Sequence, residues 1–239
     1  MINRTLVRMA ERPPLVAAAH GTHDPAGRAA IDALRAAVGE AAGDVRVIEA
    51  YVDEQVQRPG LSEVLATLPE AVVVPVLLSS GYHVHVDVTE AVAEARGTIR
   101  AAAALGPDPA LADVLVERLA QAGAVDDDTH YMVVLAAAGS SDPRAVADVE
   151  RMASLLADRL SRPVTAAYAT ANTPRIPDAV TAVQAGGHRV ALASYVLAPG
   201  HFHDRIAAAG ADLATAPLLP HPVIADLVVR RYEDALTAG

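Results

Sequence analysis

The run Leu15-Val16-Ala17-Ala18-Ala19-His20-Gly21-Thr22-His23-Asp24-Pro25 decides the fold. Its first five residues are apolar, short in extent and bounded by turn chemistry, which predicts a fully buried strand. A tight polar loop follows. From Arg28 an amphipathic run begins, and Ile31, Leu34 and Val38 at three- and four-residue spacing predict a helix over 29–38. Strand, loop and helix make the opening unit of a parallel sheet, with two histidines and an aspartate at the carboxyl end of its first strand.

The same alternation continues. Val45–Val52, rich in β-branched residues, predicts a second strand, and Leu61–Leu68 a short helix stopped near Pro69. Ala71–Leu78 predicts a third strand despite Pro75, which is awkward inside a ladder. Gly81 then opens a polar loop bearing His83, His85 and Asp87, followed by a helix over 89–96, a weaker strand over 99–105 and a helix over 110–122. Strands alternating with helices predict an α/β fold with a parallel sheet.

The pattern then begins again. His20-Gly-Thr-His-Asp-Pro is matched 118 residues later by Ala138-Gly-Ser-Ser-Asp-Pro. Tyr51 is matched by Tyr168, Gly81 by Gly200, and Pro107-Asp-Pro by Pro220-His-Pro. Four anchors in one order signal an internal repeat, with strands expected near 132–137, 164–169, 189–197 and 211–216. The expected object is two similar doubly wound parallel-sheet domains of flavodoxin-like topology, over 1–124 and 125–239, facing each other across a cleft. Asp126-Asp127-Asp128 reads as the linker, and a terminal helix is free to pack on the opposite half.

Composition narrows the function. With 52% hydrophobic residues and 3% aromatics, the cores must be built from Ala, Val, Leu and Ile. A net charge of −10 and the lack of a basic stripe argue against nucleic acid as a partner. There is no cysteine, hence no disulfide, thiolate metal site or cysteine nucleophile. The arginine-bearing segment over 1–14 lacks the apolar core of a signal peptide, and no run reaches the roughly 18 apolar residues of a membrane span. A cytoplasmic protein without a membrane partner is expected. Phosphate-loop and dinucleotide glycine spacings are absent, as is the Gly-x-Ser-x-Gly elbow, so nucleotide hydrolysis and serine hydrolysis are poor readings.

If the strand order is 2-1-3-4, ligands bind between strands 1 and 3, outside their carboxyl ends. His20 follows strand 1 and His83 follows strand 3, so both fall at that switch point. A lone loop histidine is as readily a solvated side chain; two histidines on the two switch-point loops point to a shared role. Asp87 is a candidate to orient an imidazole or take a proton, or else to cap the next helix. Asp24 reads as a turn or cap residue. Asp53 follows strand 2, near the cleft. In the second half, Ser140 lies where the histidines have been lost, as a hydrogen-bond donor. His201 and His203 in Gly-His-Phe-His-Asp-Arg would face the same cleft, and Phe202 matches the position of His83.

These motifs carry a resemblance. His20-Gly-Thr-His-Asp-Pro, Val-Pro-Val-Leu-Leu-Ser-Ser-Gly-Tyr-His83-Val-His-Val-Asp87-Val, Ala50-Tyr-Val-Asp53 through Pro59, and Gly106-Pro-Asp-Pro resemble the class II tetrapyrrole chelatases. Specifically, they resemble the sirohydrochlorin chelatases of cobalamin and sirohaem synthesis, in the long two-domain form. The resemblance covers nearly the whole chain. It implies a chelatase-like fold, a metal-binding and catalytic pair at His20 and His83, and acidic residues assisting, with Asp87 as the catalytic acid–base candidate. Asp53 stands where the family often has a glutamate. The implied reaction inserts Co2+ or Fe2+ into sirohydrochlorin, with Ni2+ also compatible with imidazole ligands; the metal is a substrate and no organic cofactor is needed. A tetrapyrrole or metal carrier without turnover is the alternative. The carboxylates of a tetrapyrrole would pair with Arg28, Arg58, Arg144, Arg175 or Arg205, and Asp53, Ser140, His201, His203 and Arg205 are the substrate-side candidates. A monomer whose halves imitate a dimer is expected.

Overall fold

Eight strands form two four-stranded parallel sheets, one in each half of the chain. The computed structural model describes residues 12–81, 83–124 and 131–238, and of residues 83–85 the backbone alone. The first half runs β1 (Leu15–Ala19), α1 (Pro25–Ala42), β2 (Val47–Tyr51), α2 (Leu61–Leu65), β3 (Glu70–Pro75), a π-helical turn over His83–Val88, α3 (Thr89–Glu94), β4 (Thr98–Ala101) and α4 (Pro109–Gln121). The second repeats it as β5 (Tyr131–Ala137), α5 (Pro143–Leu160), β6 (Val164–Tyr168), α6 (Ile176–Ala185), β7 (Arg189–Tyr195), α7 (His201–Ala207), β8 (Leu213–Ala214) and α8 (Pro222–Thr237). The strand orders are β2-β1-β3-β4 and β6-β5-β7-β8. The expected switch point therefore exists in both halves. The Asp126–Asp128 linker lies outside the described residues.

Two details differ from the sequence reading. The segment after Gly81 is not an open polar loop: 83–88 form a π-helical turn that runs directly into α3. The turn continues into α3 with Val88 at the N-cap position, and the Val88 side chain makes no capping hydrogen bond. Pro75, in turn, ends β3 rather than interrupting it. Val72 and Val76 donate their N–H groups toward the β1 side, to Pro14 and Ala18. By alternation, position 75 faces the β4 side, where the ladder already stops at Val73 opposite Ala101. The missing proline N–H thus costs no ladder bond.

Both sheets are covered on both faces, which explains their continuous apolar strands. Successive strand residues divide between layers. Val16, Ala18, Val73 and Ala50 pack outward beneath α2 and α3, and Val134, Ala136, Val190 and Leu192 do the same beneath α6 and α7. Leu15, Ala17, Val72, Val74, Val133, Leu135, Ala191 and Ala193 face a central layer shared by the two halves.

The central layer is built by exchange. Helix α8, from the end of the chain, packs on α1, β3 and β4, while α4 packs on α5 and β7. Leu111, Leu115 and Leu119 of α4 are each 0% exposed. Burying a leucine contributes about 1.5–3 kcal/mol, so these three alone outweigh any surface ion pair at about 0–1 kcal/mol. Direction is set by polar latches that obey the repeat. Arg118 of α4 donates to the carbonyl oxygens of Pro217 (2.9 Å), Leu218 (2.9 Å) and Pro220 (2.7 Å). Its counterpart Arg231 of α8 donates to those of Ala104 (2.8 Å) and Leu105 (3.0 Å), and to Asp108. Asp108 caps α4 through the Ala110 N–H, and His221 caps α8 by accepting from the Val223 N–H at Nδ1. The other His221 nitrogen, Nε2, lies 3.0 Å from Glu117 Oε2 and carries the proton toward it. Among the described residues no helix is long and apolar enough to cross a membrane.

Candidate functional site

The loops at the carboxyl ends of β1 and β5 are two copies of one device. Gly21 (φ 103°) and Gly139 (φ 91°) take the left-handed turn that ends each strand. Three residues on, Asp24 and Asp142 cap α1 and α5, accepting from the N–H groups of Gly27 (2.8 Å) and Arg144 (2.9 Å). Between them, the Thr22 hydroxyl accepts from the Asp24 N–H and the Ser140 hydroxyl from the Asp142 N–H, each at 3.1 Å. An amide side chain from the neighbouring loop locks each copy: Gln57 Oε1 accepts from the Thr22 N–H (3.3 Å) and Asn172 Oδ1 from the Ser140 N–H (2.8 Å). Sequence reasoning missed Gln57 and Asn172, although extending the repeat alignment from Tyr51 and Tyr168 brings the two amides nearly into register. Asp24 is a cap, as its position before Pro25 predicted.

The loops after β3 and β7 interlock with the opposite half. A Cβ at Gly27 would lie 2.7 Å from the Pro199 carbonyl oxygen, and one at Gly81 would lie 3.1 Å from the Ala145 Cβ. The Ser80 N–H donates to Asp148 Oδ2 at 2.7 Å, and the Ser80 hydroxyl donates to the same oxygen. Tyr195, at the end of β7, donates its hydroxyl to the Leu78 carbonyl oxygen at 2.8 Å. Burial, then the charges of Asp148 and Asp108, push the Tyr195 hydroxyl above the ordinary tyrosine range, so it stays a donor.

Between these four loops lies a cleft of about 780 Å³, its walls drawn from both halves. That volume is within the range of small-molecule sites, about 300–1,000 Å³. Its lining is mostly Ala, Val, Leu and Gly with the rings of Tyr51, Tyr168, Tyr195 and Phe202, and its polar groups include Thr22, Gln57, Ser79, Ser140, Ser141 and Thr170. Among the described residues no Asp, Glu or Arg lines it. Among the described residues four histidines line it: His20 and His23 from the first half, His201 and His203 from the second.

The structure brings some expected residues together and leaves others apart. His20 is exposed at the end of β1, and its carbonyl oxygen accepts from the Asp53 N–H at 3.0 Å. His201 is the first residue of α7 and meets the Phe202 ring edge-on, centroids 5.5 Å apart. His203 is half-buried with Nε2 3.1 Å from the Thr215 carbonyl oxygen, which fixes the proton on Nε2. The side chain of His83 lies outside the described residues; its backbone begins the π-helical turn after β3. Asp53 is not in the lining. Its carboxylate accepts from the Gln55 N–H at 3.1 Å and its carbonyl from Val56 and Gln57, so it shapes the loop that carries Gln57. Asp87 lines a separate hollow with Glu54, Glu90 and Glu94.

Arg205 is exposed on α7 outside the lining, and the other expected arginines are engaged elsewhere. Arg28 donates to the Thr22 carbonyl oxygen, Arg144 to Asp142, Arg175 to the Ala169 carbonyl oxygen, and Arg58 pairs with Glu63. Among the described residues no group of three or more His, Asp and Glu side chains is gathered to hold a metal. Among the described residues the buried Tyr168 hydroxyl has no hydrogen-bond partner. Its repeat partner Tyr51 accepts from Arg35 at 3.0 Å, and the second half has Ala153 where the repeat places Arg35.

Known proteins share this fold. The model of the CbiX family matches the chain twice, over residues 14–122 and 132–235. No curated protein sequence matches it. Among solved structures, SirB from Bacillus subtilis with Fe3+ is similar at 19% identity and a TM-score of 0.79, over 95% of this chain and 96% of that one. SirB from Bacillus subtilis subspecies spizizenii in complex with cobalt is similar at 17% identity and 0.73, over 94% and 95%. CbiX, described as the terminal enzyme of sirohaem biosynthesis in denitrifying bacteria, is similar at 22% identity and 0.69, over 95% and 100%.

Proposed function

The chain belongs to the CbiX family, and from that premise we propose that it is a sirohydrochlorin chelatase, inserting Co2+ or Fe2+ into the macrocycle in the cleft between its halves. The observation that carries the reading is the cleft's makeup: apolar walls, imidazoles from both halves and, among the described residues, no carboxylate or guanidinium. Similar structures have been solved with Fe3+ and with cobalt, which supports a divalent transition metal as substrate.

The chemistry fits such a site. Insertion removes two pyrrole N–H protons while the metal sheds water. Imidazole is a suitable ligand for cobalt, iron and nickel, and neutral imidazole accepts protons near pH 7. In this reading His20 and His83 present the metal from the first half; one of them takes one ring proton, and the second passes to water shed by the metal. Ser140, His201 and His203 meet the macrocycle from the second half. Apolar walls exclude water, which strengthens the metal–nitrogen contacts being formed. Asp87, Asp53 and Arg205 act from outside the lining: Asp53 through the loop that holds Thr22, Asp87 and Arg205 from the surface beyond the cleft. The protein acts in the cytoplasm, as a monomer whose repeat supplies both walls.

An insertion assay tests this directly. Purified protein mixed with metal-free sirohydrochlorin should accelerate the absorbance change on adding Co2+ or Fe2+. Binding of the tetrapyrrole without acceleration by Co2+, Fe2+ or Ni2+ would make the protein a carrier instead.

A further inference from the structure

The repeat gives the second wall of the cleft a different chemistry from the first. Ala138 stands 118 residues after His20, and Phe202 stands 119 residues after His83, in step with Gly81 and Gly200. At both equivalent positions the imidazole has become a carbon side chain. Phe202 is the chain's single phenylalanine. Among the described residues it is the one large hydrophobic side chain left exposed, at 41%, in a chain whose other large apolar groups are packed away. It is also a cleft-lining residue, in the first turn of α7. His201 braces the ring edge-on at 5.5 Å, and His203, tied to the Thr215 carbonyl oxygen, anchors the next position. An aromatic ring held in one place with its surface in water is unfavourable unless something apolar covers it in use.

We propose that Phe202 stacks on the face of the macrocycle turned away from His20, so that the second half grips the ring while the first half delivers the metal. This rests on the reading of the cleft as a tetrapyrrole site. A conjugated planar ring offers the offset-stacked partner that phenylalanine prefers. The division also explains why the repeat keeps its loop architecture, Gly139, Ser140 and Asp142, while discarding the histidines: the second copy retains the frame and changes the wall.

The test is an equilibrium titration of the full-length protein with metal-free sirohydrochlorin, followed by absorbance. Phe202→Ala should weaken binding about tenfold, which is about 1.4 kcal/mol, and raise KM for the tetrapyrrole. Phe202→Trp should bind at least as tightly as the unaltered protein, and Phe202→Leu, similar in bulk without a π face, should fall with Phe202→Ala. Co2+ affinity in the absence of tetrapyrrole should not change. Equal tetrapyrrole affinity in the Ala variant, or full affinity in the Leu variant, overturns the stacking role while leaving the chelatase reading intact. Failure of the unaltered protein to bind the tetrapyrrole overturns both.

Discussion

Tyr195 of the second half donates its hydroxyl to the Leu78 carbonyl oxygen of the first, 2.8 Å away, and so ties the two walls of the cleft together at its floor. The fit is close: a Cβ at Gly106 would lie 2.1 Å from that hydroxyl. Tyr195→Phe removes the donor and leaves a carbonyl without its partner. The expected cost is about 1–3 kcal/mol, measured by urea denaturation, and the loosened floor should raise KM for the tetrapyrrole. Unchanged stability and KM would show that the bond does not couple the walls.

The arginine latches should hold the exchanged helices in place. Arg118→Ala leaves three carbonyl oxygens without their donor, and Arg231→Ala leaves two and removes one of the two arginines that pair with Asp108, Arg230 remaining. Each is expected to cost about 3 kcal/mol in a denaturation experiment. Fragments 1–124 and 125–239 expressed separately should each expose a helix-binding face, and should recover native circular dichroism only when mixed.

Alkaline pH should unfold the protein through its tyrosines. Burial raises the hydroxyls of Tyr51, Tyr168, Tyr195 and Tyr232 above their ordinary value of 10.0. The folded state therefore binds more protons than the unfolded state once pH exceeds about 10. Stability should be level in this respect below pH 10 and decline as pH rises beyond it. Tyr195→Phe should flatten part of that decline in Tm measured against pH.

Gly139 should tolerate no side chain. Its φ is 91°, and a Cβ would lie 2.0 Å from the Thr170 carbonyl oxygen. Gly43 has φ 67° and nothing within 4 Å of the same atom. Alanine at Gly43 should cost about 1–3 kcal/mol from backbone conformation alone. Alanine at Gly139 should cost more, by the amount needed to displace the Thr170 peptide. Equal costs would mean the loop yields freely.

Much of the fold was legible because the strands are buried on both faces and the helices amphipathic, so type and order followed from period and turn chemistry. Leu15–Ala19 is a strand at its expected bounds, and the order 2-1-3-4 holds in both halves. What stayed hidden was pairing between distant segments. The apolar stripes of α4 and α8 announce burial but do not say against which sheet, and the latches of Arg118 and Arg231 depend on the exchange. The turn after Gly81 read as a loop because His83, His85 and Asp87 are polar, yet it is a helical turn. That turn carries Asp87 to the hollow beside Glu54 rather than into the cleft. The capping motif of each strand-end loop was visible in Gly-x-x-Asp-Pro, whereas its amide lock from Gln57 or Asn172 comes from another loop. Tyr195 and Phe202 carried no motif; only the repeat distinguishes Phe202.

The central claim is that His20 does the chemistry of the cleft. The most direct measurement is the initial rate of Co2+ and Fe2+ insertion into sirohydrochlorin by His20→Ala beside the unaltered protein, with circular dichroism and Tm recorded on both. Because His20 is exposed at the strand end, the variant should fold normally and lose a hundredfold or more of the rate, roughly the contribution of a positioned base. A His20→Ala protein that inserts metal at the unaltered rate would contradict the account.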